Sequence, residues 1–426
     1  MDSGVSFPLV GLNSKSLGGA RLDDGAILPH VLRGRPALAG ILVCIASLFI
    51  YLGSAGFISP GATYPSQGRQ SSIALGATIH DKPVSVGSTL GAMDWYASLV
   101  GGHMPAIVNV GSDWVHNANF DARQMSDIRS RGATPMWTWL PDDYNQDGFQ
   151  PRFRMRNIAN GAYDPYIRRF ALAAKNWGHP FLLRFAHEMN GNWYPWGTGL
   201  GNQNGTTAAD YVAAWRHVHD IFTNLGASNV LWVWCANTAY TGSMSLAQVY
   251  PGDSYVDWVA LDGYNYGAAK DSAGWQSLYQ VFGPSYAVLT ALTSKPVIIT
   301  EIGSAEAGGN KASWIKQGLL NDVPMRMPRV RAVIWFDAVD DISANRSVDW
   351  RVNSSPGALA AFRAVAGSPL YQGKFSATPT SFKPMPASEA WAPTFPQSND
   401  NPPHPRCGSC PLPSSPPARQ QGRGSA

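Results

Sequence analysis

Glutamate is nearly absent from this sequence: of 28 acidic residues in a chain of 426, only four are Glu, at positions 188, 301, 306 and 389. Charge of either sign is also scarce, at 14% of residues, where ordinary soluble domains carry about 25%. The formal net charge of +4 lies at the ends, with +1 in residues 1–36 and +3 in residues 369–426, so the stretch between them is neutral. A neutral body has no basic stripe for a phosphate backbone, which argues against a nucleic-acid partner. Cysteines number four, too few for a disulfide framework. Cys407 and Cys410 form a CxxC inside a Pro-rich stretch, without the strand-to-helix context of a redox motif, and read as a local disulfide or as nothing functional.

Between these absences stand two segments of unusual composition. Residues 37–58 (ALAGILVCIASLFIYLGSAGFI) run 22 positions without a charge, directly after Arg33 and Arg35. That is long enough to span a bilayer as a helix. The preceding arginines predict a cytoplasmic segment 1–36 and an extracytoplasmic body, a single-pass cell-membrane protein. Gly53-Ser54-Ala55 offers a signal-peptidase site as the alternative, which would make the protein secreted. From position 373 to 426 the chain is rich in Pro, Ser, Gly and Asn. Such a composition buries too little apolar surface to repay its ordering, and predicts a disordered tail or spacer.

The body, residues 70–372, alternates short apolar runs with amphipathic stretches. Eight runs are present: 72–79, 106–114, 134–141, 180–188, 230–237, 256–265, 295–304 and 331–339. Near-continuous apolar character fits parallel strands buried on both faces. The segment 207–222 places Tyr211, Trp215, Val218 and Phe222 on one helical face. After the sixth run a helical stretch is expected to be interrupted at Gly283-Pro284. Eight strand-and-helix units in about 300 residues predict an α/β fold, a (β/α)8 TIM barrel. A doubly wound sheet is the alternative, but no glycine-rich nucleotide loop follows the first run.

Within that frame the rare residue falls in telling places. Glu188 ends the fourth run and Glu301 the seventh, each followed by turn-forming residues. Active sites of such barrels are built on the carboxyl ends of the strands. A helix cap or loop hydrogen bond would explain either one alone; as a pair on one rim they suit glycosidic bond cleavage, one donating a proton and the other attacking or activating water. Glu306 reads as a solvated loop charge and Glu389 belongs to the tail. Aromatic residues gather at the same strand ends: Trp114, Trp139, Trp193, Trp196, Tyr264 and Trp335 are candidate sugar-stacking residues. For the pairs Trp137/Trp139 and Trp232/Trp234, core packing is an equal reading, because residues two apart on a strand point the same way.

The stretch Arg184-Phe185-Ala186-His187-Glu188-Met189-Asn190-Gly191-Asn192-Trp193-Tyr194-Pro195-Trp196-Gly197 resembles the acid/base motif of glycoside hydrolase family 26, and Thr300-Glu301-Ile302-Gly303 resembles its nucleophile strand. The resemblance covers about residues 70 to 370. It implies a retaining endo-glycanase with Glu188 as general acid/base and Glu301 as nucleophile. His187, Arg184, Asn190, Trp193 and Trp196 would then contact substrate. Tyr264 would hydrogen-bond the nucleophile, and Trp335 would form the floor under the cleaved sugar.

The commonest activity of the family is hydrolysis of internal β-1,4 bonds in mannan, which is the expectation here; mixed-linkage β-1,3-1,4-glucan and β-1,3-xylan are the alternatives. Tyr194-Pro195-Trp196 departs from the all-aromatic run expected of a mannanase, and the proline restricts Tyr194. A polysaccharide substrate, no cofactor, no metal and a monomeric catalytic domain are expected. His217 and His219, two apart on a helix, diverge by about 200° and make poor joint ligands. A reading of another class is a carbohydrate-binding wall protein without catalysis, which would predict loss of a carboxylate.

Overall fold

A computed structural model describes residues 72–376, apart from 81, 84, 117, 147, 239–241, 243, 271–273 and 340–347. Segment 37–58, the tail beyond 376 and the CxxC lie outside the described residues. Among the described residues no helix is long and apolar enough to cross a membrane.

Eight parallel strands close into a barrel in sequence order: β1 (Ala74–Ile79), β2 (Ile107–Asp113), β3 (Thr134–Leu140), β4 (Phe181–Phe185), β5 (Val230–Asn237), β6 (Trp258–Asn265), β7 (Val297–Ser304) and β8 (Val330–Asp337), with β8 pairing back onto β1. The (β/α)8 expectation holds at this level. Each apolar run became a strand, and the fourth is shorter than its run: β4 stops at Phe185, three residues before Glu188.

Helices α1 (Thr89–Leu99), α2 (Ala122–Ser130), α3 (Met155–Ala159), α4 (Asp164–Trp177), α5 (Ala208–Leu225), α6 (Leu246–Val249), α7 (Leu278–Leu292), α8 (Lys311–Gln317), α9 (Val323–Arg326) and α10 (Pro356–Ala366) connect the strands. Capping boxes start two of them, Thr207 with Asp210 on α5 and Ser277 with Gln280 on α7, each satisfying two otherwise orphaned backbone donors. The interruption expected at Gly283-Pro284 does not occur, because α7 runs through both residues. A helix-interior proline costs about 3 kcal/mol, and α7 buries Val281, Phe282, Tyr286 and Leu289 on either side of it, so packing outweighs the lost hydrogen bond. The fifth connection is only the single turn α6 followed by a 3-10 turn, Asp253–Tyr255.

Strand alternation sorts the side chains into two cores. Trp137, Trp139, Trp232, Trp234 and Trp335 pack outward with the helices, whereas Ile107, Met136, Leu182, Val233, Ile298 and Ile334 fill the barrel interior. Phe375 packs on Trp258 at 5.0 Å at the amino-terminal end of that interior. One step further along the strands the inward positions turn polar: Thr78, Asn109, Thr138, Arg184, Asp262 and Thr300 are all buried. Glu301 breaks the alternation. With Ile298 and Thr300 inward, a regular strand would send Glu301 outward with Ile299; instead the pairing slips between Ile299 and Ile302 against β8 and between Leu261 and Asp262 against β6. This irregularity turns two consecutive residues of β7 toward the interior.

Candidate active site

Glu188 reaches the rim through an unusual backbone. After Phe185 the chain takes positive φ at Ala186 (43°) and Glu188 (54°), the only non-glycine residues to do so among the described residues. Such conformations cost on the order of 1 kcal/mol or more each. They are held by bonds to the neighbouring strands, from Ala186 N–H to the Trp139 carbonyl (3.1 Å) and from Glu188 N–H to the Cys235 carbonyl (2.8 Å). The Glu188 carboxyl accepts from Asn237 Nδ2 on Oε1 (2.6 Å) and from Trp193 Nε1 on Oε2 (2.7 Å). Burial, with the charges of Asp262 and Glu301, pushes this carboxyl well above its usual range, and the two donors only partly oppose that. Gly191 makes the Trp193 contact feasible, since a Cβ there would stand 2.6 Å from the folded-back indole ring.

Glu301, at the end of β7, has different company. Arg184 Nη2 donates to its Oε1 at 2.5 Å, and the Tyr264 hydroxyl donates to its Oε2. The same guanidinium donates from Nη1 to Asp262 Oδ2 (2.7 Å) and from Nε to Thr138 Oγ1 (2.9 Å). Burial would strip Arg184 of its proton, but the facing Asp262 and Glu301 carboxylates outweigh it and hold the group cationic. Burial raises the Asp262 carboxyl to about 7 against the opposing pull of Arg184, with Glu301 adding to the rise. Tyr264 is kept protonated by burial and by the Glu301 charge, so it remains a donor.

The other expected site residues divide. Trp193 is 42% exposed on the rim beside Glu188. His187 lies beside Glu301, with a ring atom, an Asp262 oxygen and a Glu301 oxygen all within 4.8 Å of one another. Burial and the Arg184 charge keep its imidazole neutral. Three expectations become supporting roles. Arg184 is fully enclosed and holds carboxylates; Asn190 bonds the Asn237 backbone through both ends of its amide (2.9 Å each); Trp196 stacks under Tyr194 at 4.4 Å and donates to the His187 carbonyl. Three more are corrected. Trp114 packs among Trp139, Phe153, Tyr163, Tyr166 and Phe185; Trp139 stacks on Phe170 at 4.3 Å and donates to Tyr166; Trp335 meets Trp314 and Phe362. All three are on the helix side of the sheet, where alternation sends them.

Sequence reading missed Asn237, Asp262, His80 and Trp350. Asn237 and Asp262 sit in β5 and β6 near their carboxyl ends and could have been found by the rule that singled out Glu188. His80 follows β1, edge-on to Phe336 at 5.4 Å and within electrostatic reach of Glu301. Trp350 packs 4.9 Å from Tyr264; it follows the last strand in a stretch without periodicity, so no sequence signal marked it.

Among the described residues two side-chain groups come close enough to share a cation, Asp113–His116–Asp143 and His187–Asp262–Glu301. In the second, Arg184 already supplies the positive charge. In the first, the Asp113 oxygens accept from the Val115, His116 and Tyr144 backbone, and Asp143 Oδ2 accepts from Gln146 and Arg152, which is a loop clamp.

Residues 164–322, which include both glutamates, match the profile of Glycosyl hydrolase family 26. The chain is 40% identical over 263 residues to Endoglucanase H of Acetivibrio thermocellus, covering 60% of this chain and 27% of that protein. It is 30% identical over 192 residues to a mannan endo-1,4-beta-mannosidase of Bacillus subtilis, covering 44% of each. It therefore spans less than half the length of either relative. Among solved structures, the catalytic domain of the Bacillus sp. JAMB-750 GH26 endo-beta-1,4-mannanase superposes with a TM-score of 0.53 at 21% identity over 70% of this chain and 86% of that one, a likeness of fold. The profile spans both carboxylate-bearing strand ends, and together with these relatives it supports a glycosyl hydrolase family 26 member.

Proposed function

We propose that the barrel is a retaining endo-β-glycanase in which Glu188 is the general acid/base and Glu301 the nucleophile. The observation that carries this reading is the unequal treatment of the two carboxyls. Glu188 is buried among neutral donors and beside two negative groups, which favours its protonated form. Glu301 instead accepts from a buried guanidinium and a phenol, which hold both of its oxygens in place. Glu188 gives its proton to the leaving glycosidic oxygen as Glu301 attacks the anomeric carbon, forming a glycosyl ester. Glu188 then takes a proton from water, which displaces Glu301. Trp193, exposed and bonded to the acid, offers its ring to the sugar on the leaving side.

Internal β-1,4 bonds of mannan are the proposed target, in keeping with the mannosidase relatives. A β-glucan is the second reading, favoured by the 40% identity to a protein named an endoglucanase and by the proline that separates Tyr194 from Trp196. The proposed location is extracytoplasmic, with residues 37–58 as the membrane anchor. Incubating the purified chain with mannan, glucomannan, mixed-linkage glucan and β-1,3-xylan, and following new reducing ends and the first anomer formed, tests the reading. Cleavage with retained configuration is expected; no cleavage of any substrate would overturn it, and an inverted product would remove the nucleophile role from Glu301. Mass spectrometry of the native amino terminus tests the anchor, which requires residues 37–58 to be retained.

A further inference from the structure

The barrel interior carries a hydrogen-bonded belt with only one consistent direction. Arginine can only donate. Thr138 Oγ1 therefore accepts from Arg184 Nε, and its single proton goes to Asn109 Oδ1 at 2.8 Å. That fixes the Asn109 amide, whose Nδ2 donates to Thr78 Oγ1 at 3.1 Å. On the other side of the guanidinium, Thr300 Oγ1 donates to Asp262 Oδ1 at 2.5 Å, and the Cys235 thiol lies 3.0 Å from Thr300 Oγ1. Every member is buried, and the run crosses β1, β2, β3, β4, β5, β6 and β7.

We infer that Thr138 and Asn109 are positioning residues for the glycosyl-transfer step, acting through Arg184 on Glu301; the inference rests on the endo-glycanase reading above. Arg184 is shared between two carboxylates, and their demands on it change during the reaction. When Glu301 becomes an ester it loses its negative charge, and the pull on the guanidinium shifts toward Asp262. The bond from Nε to Thr138 is to a neutral oxygen and does not change with the state of Glu301. It keeps the planar fork in register so that Nη2 still faces Glu301 when water releases the sugar. Asn109 does the same at one remove, by using the Thr138 proton and leaving its lone pairs for Arg184. Neither residue touches the carboxyls or is placed to touch substrate.

The test is steady-state kinetics of the full chain on glucomannan, whose backbone contains both β-1,4-mannosyl and β-1,4-glucosyl units. Thr138→Val keeps the shape and removes the hydroxyl; kcat is expected to fall about tenfold, the worth of one buried bond to a charged group, with the inhibition constant of the product oligosaccharide unchanged. Thr138→Ser restores the hydroxyl and is expected to recover to within about threefold of the parent, and Asn109→Leu to lose about threefold. An unchanged kcat in Thr138→Val, or a Thr138→Ser variant as slow as Thr138→Val, would overturn the positioning role. Should Thr138→Val fail to fold, Thr138→Ser against Asn109→Leu decides: Asn109→Leu at parental kcat overturns it. A parent inactive on every polysaccharide defeats the glycanase reading and this role together, whereas an active parent with indifferent variants defeats this role alone.

Discussion

The ends of β4 and β7 present the same side chain in opposite surroundings. At β4 the chain leaves the strand early, takes two positive-φ residues, and brings Glu188 into a pocket whose donors, Asn237 and Trp193, are neutral. At β7 the strand continues through a pairing slip that turns Glu301 onto a buried cation. At Glu188 two neutral hydrogen bonds do not offset burial and two nearby negative groups; at Glu301 one guanidinium at 2.5 Å, itself held by Thr138 and Asp262, is the principal partner. The difference between the two glutamates, and so between the roles proposed for them, is thus written in the backbone as much as in the neighbours: each strand abandons regular geometry at its glutamate, and in a different way.

The largest expected effect comes from removing either carboxyl. Glu188→Ala and Glu301→Gly should each lower kcat on the order of 10⁴-fold, as for residues that act as one catalytic unit. Azide tells the two ends apart. In Glu188→Ala it should displace Glu301 from the glycosyl ester and give a glycosyl azide of retained configuration. In Glu301→Gly it should enter from the vacated face and give the inverted azide. The same anomer from both variants would break the assignment of unlike roles.

Arg184→Met probes the cation itself. It leaves Asp262 and Glu301 buried without their shared positive charge, and breaking a buried pair in this way costs about 3–5 kcal/mol. A marked fall in melting temperature, recovering toward acid pH as Asp262, which loses the opposing pull of Arg184, takes up a proton, is the expected outcome. A melting temperature equal to the parent's at neutral pH would show that β7 does not depend on the guanidinium.

The barrel was legible because its signals are periodic. Eight apolar runs, short turns and a helical face at Tyr211, Trp215, Val218 and Phe222 agree with one another, and β5 occupies the same residues as its run. Both glutamates were legible because they follow apolar runs in a chain that has few of them. What was hidden is what breaks periodicity. The rule of alternation, applied honestly to β7, points Glu301 at the helices; only the slip in pairing brings it inward. The same rule, had it been pressed, would have removed Trp139 and Trp335 from the sugar side, since Met136 and Ile334 occupy the inward positions of their strands. Arg184 was selected as the first residue of the motif, but its partners come from β3, β6 and β7, at sequence separations of 46 to 117 residues that no local pattern reports.

The smallest effect sharpens the contrast most finely. Trp193 donates to the Glu188 carboxyl, a bond that favours the charged form and so holds the pKa of the proposed acid lower than burial alone would set it. Trp193→Phe keeps a ring on the rim and removes the donor. The protonated form is then favoured further, Glu188 keeps its proton to higher pH, and the basic limb of kcat/KM, which reports the acid in the free enzyme, should move upward by about half to one pH unit. Trp335→Phe is the matching control on the helix side of the sheet. It removes a buried indole and its bond to the Trp350 carbonyl, so the melting temperature should fall while the basic limb stays where it was. A shift of the limb in Trp335→Phe, or none in Trp193→Phe, would mean that the proton on Glu188 is governed by something other than the donors seen at the end of β4.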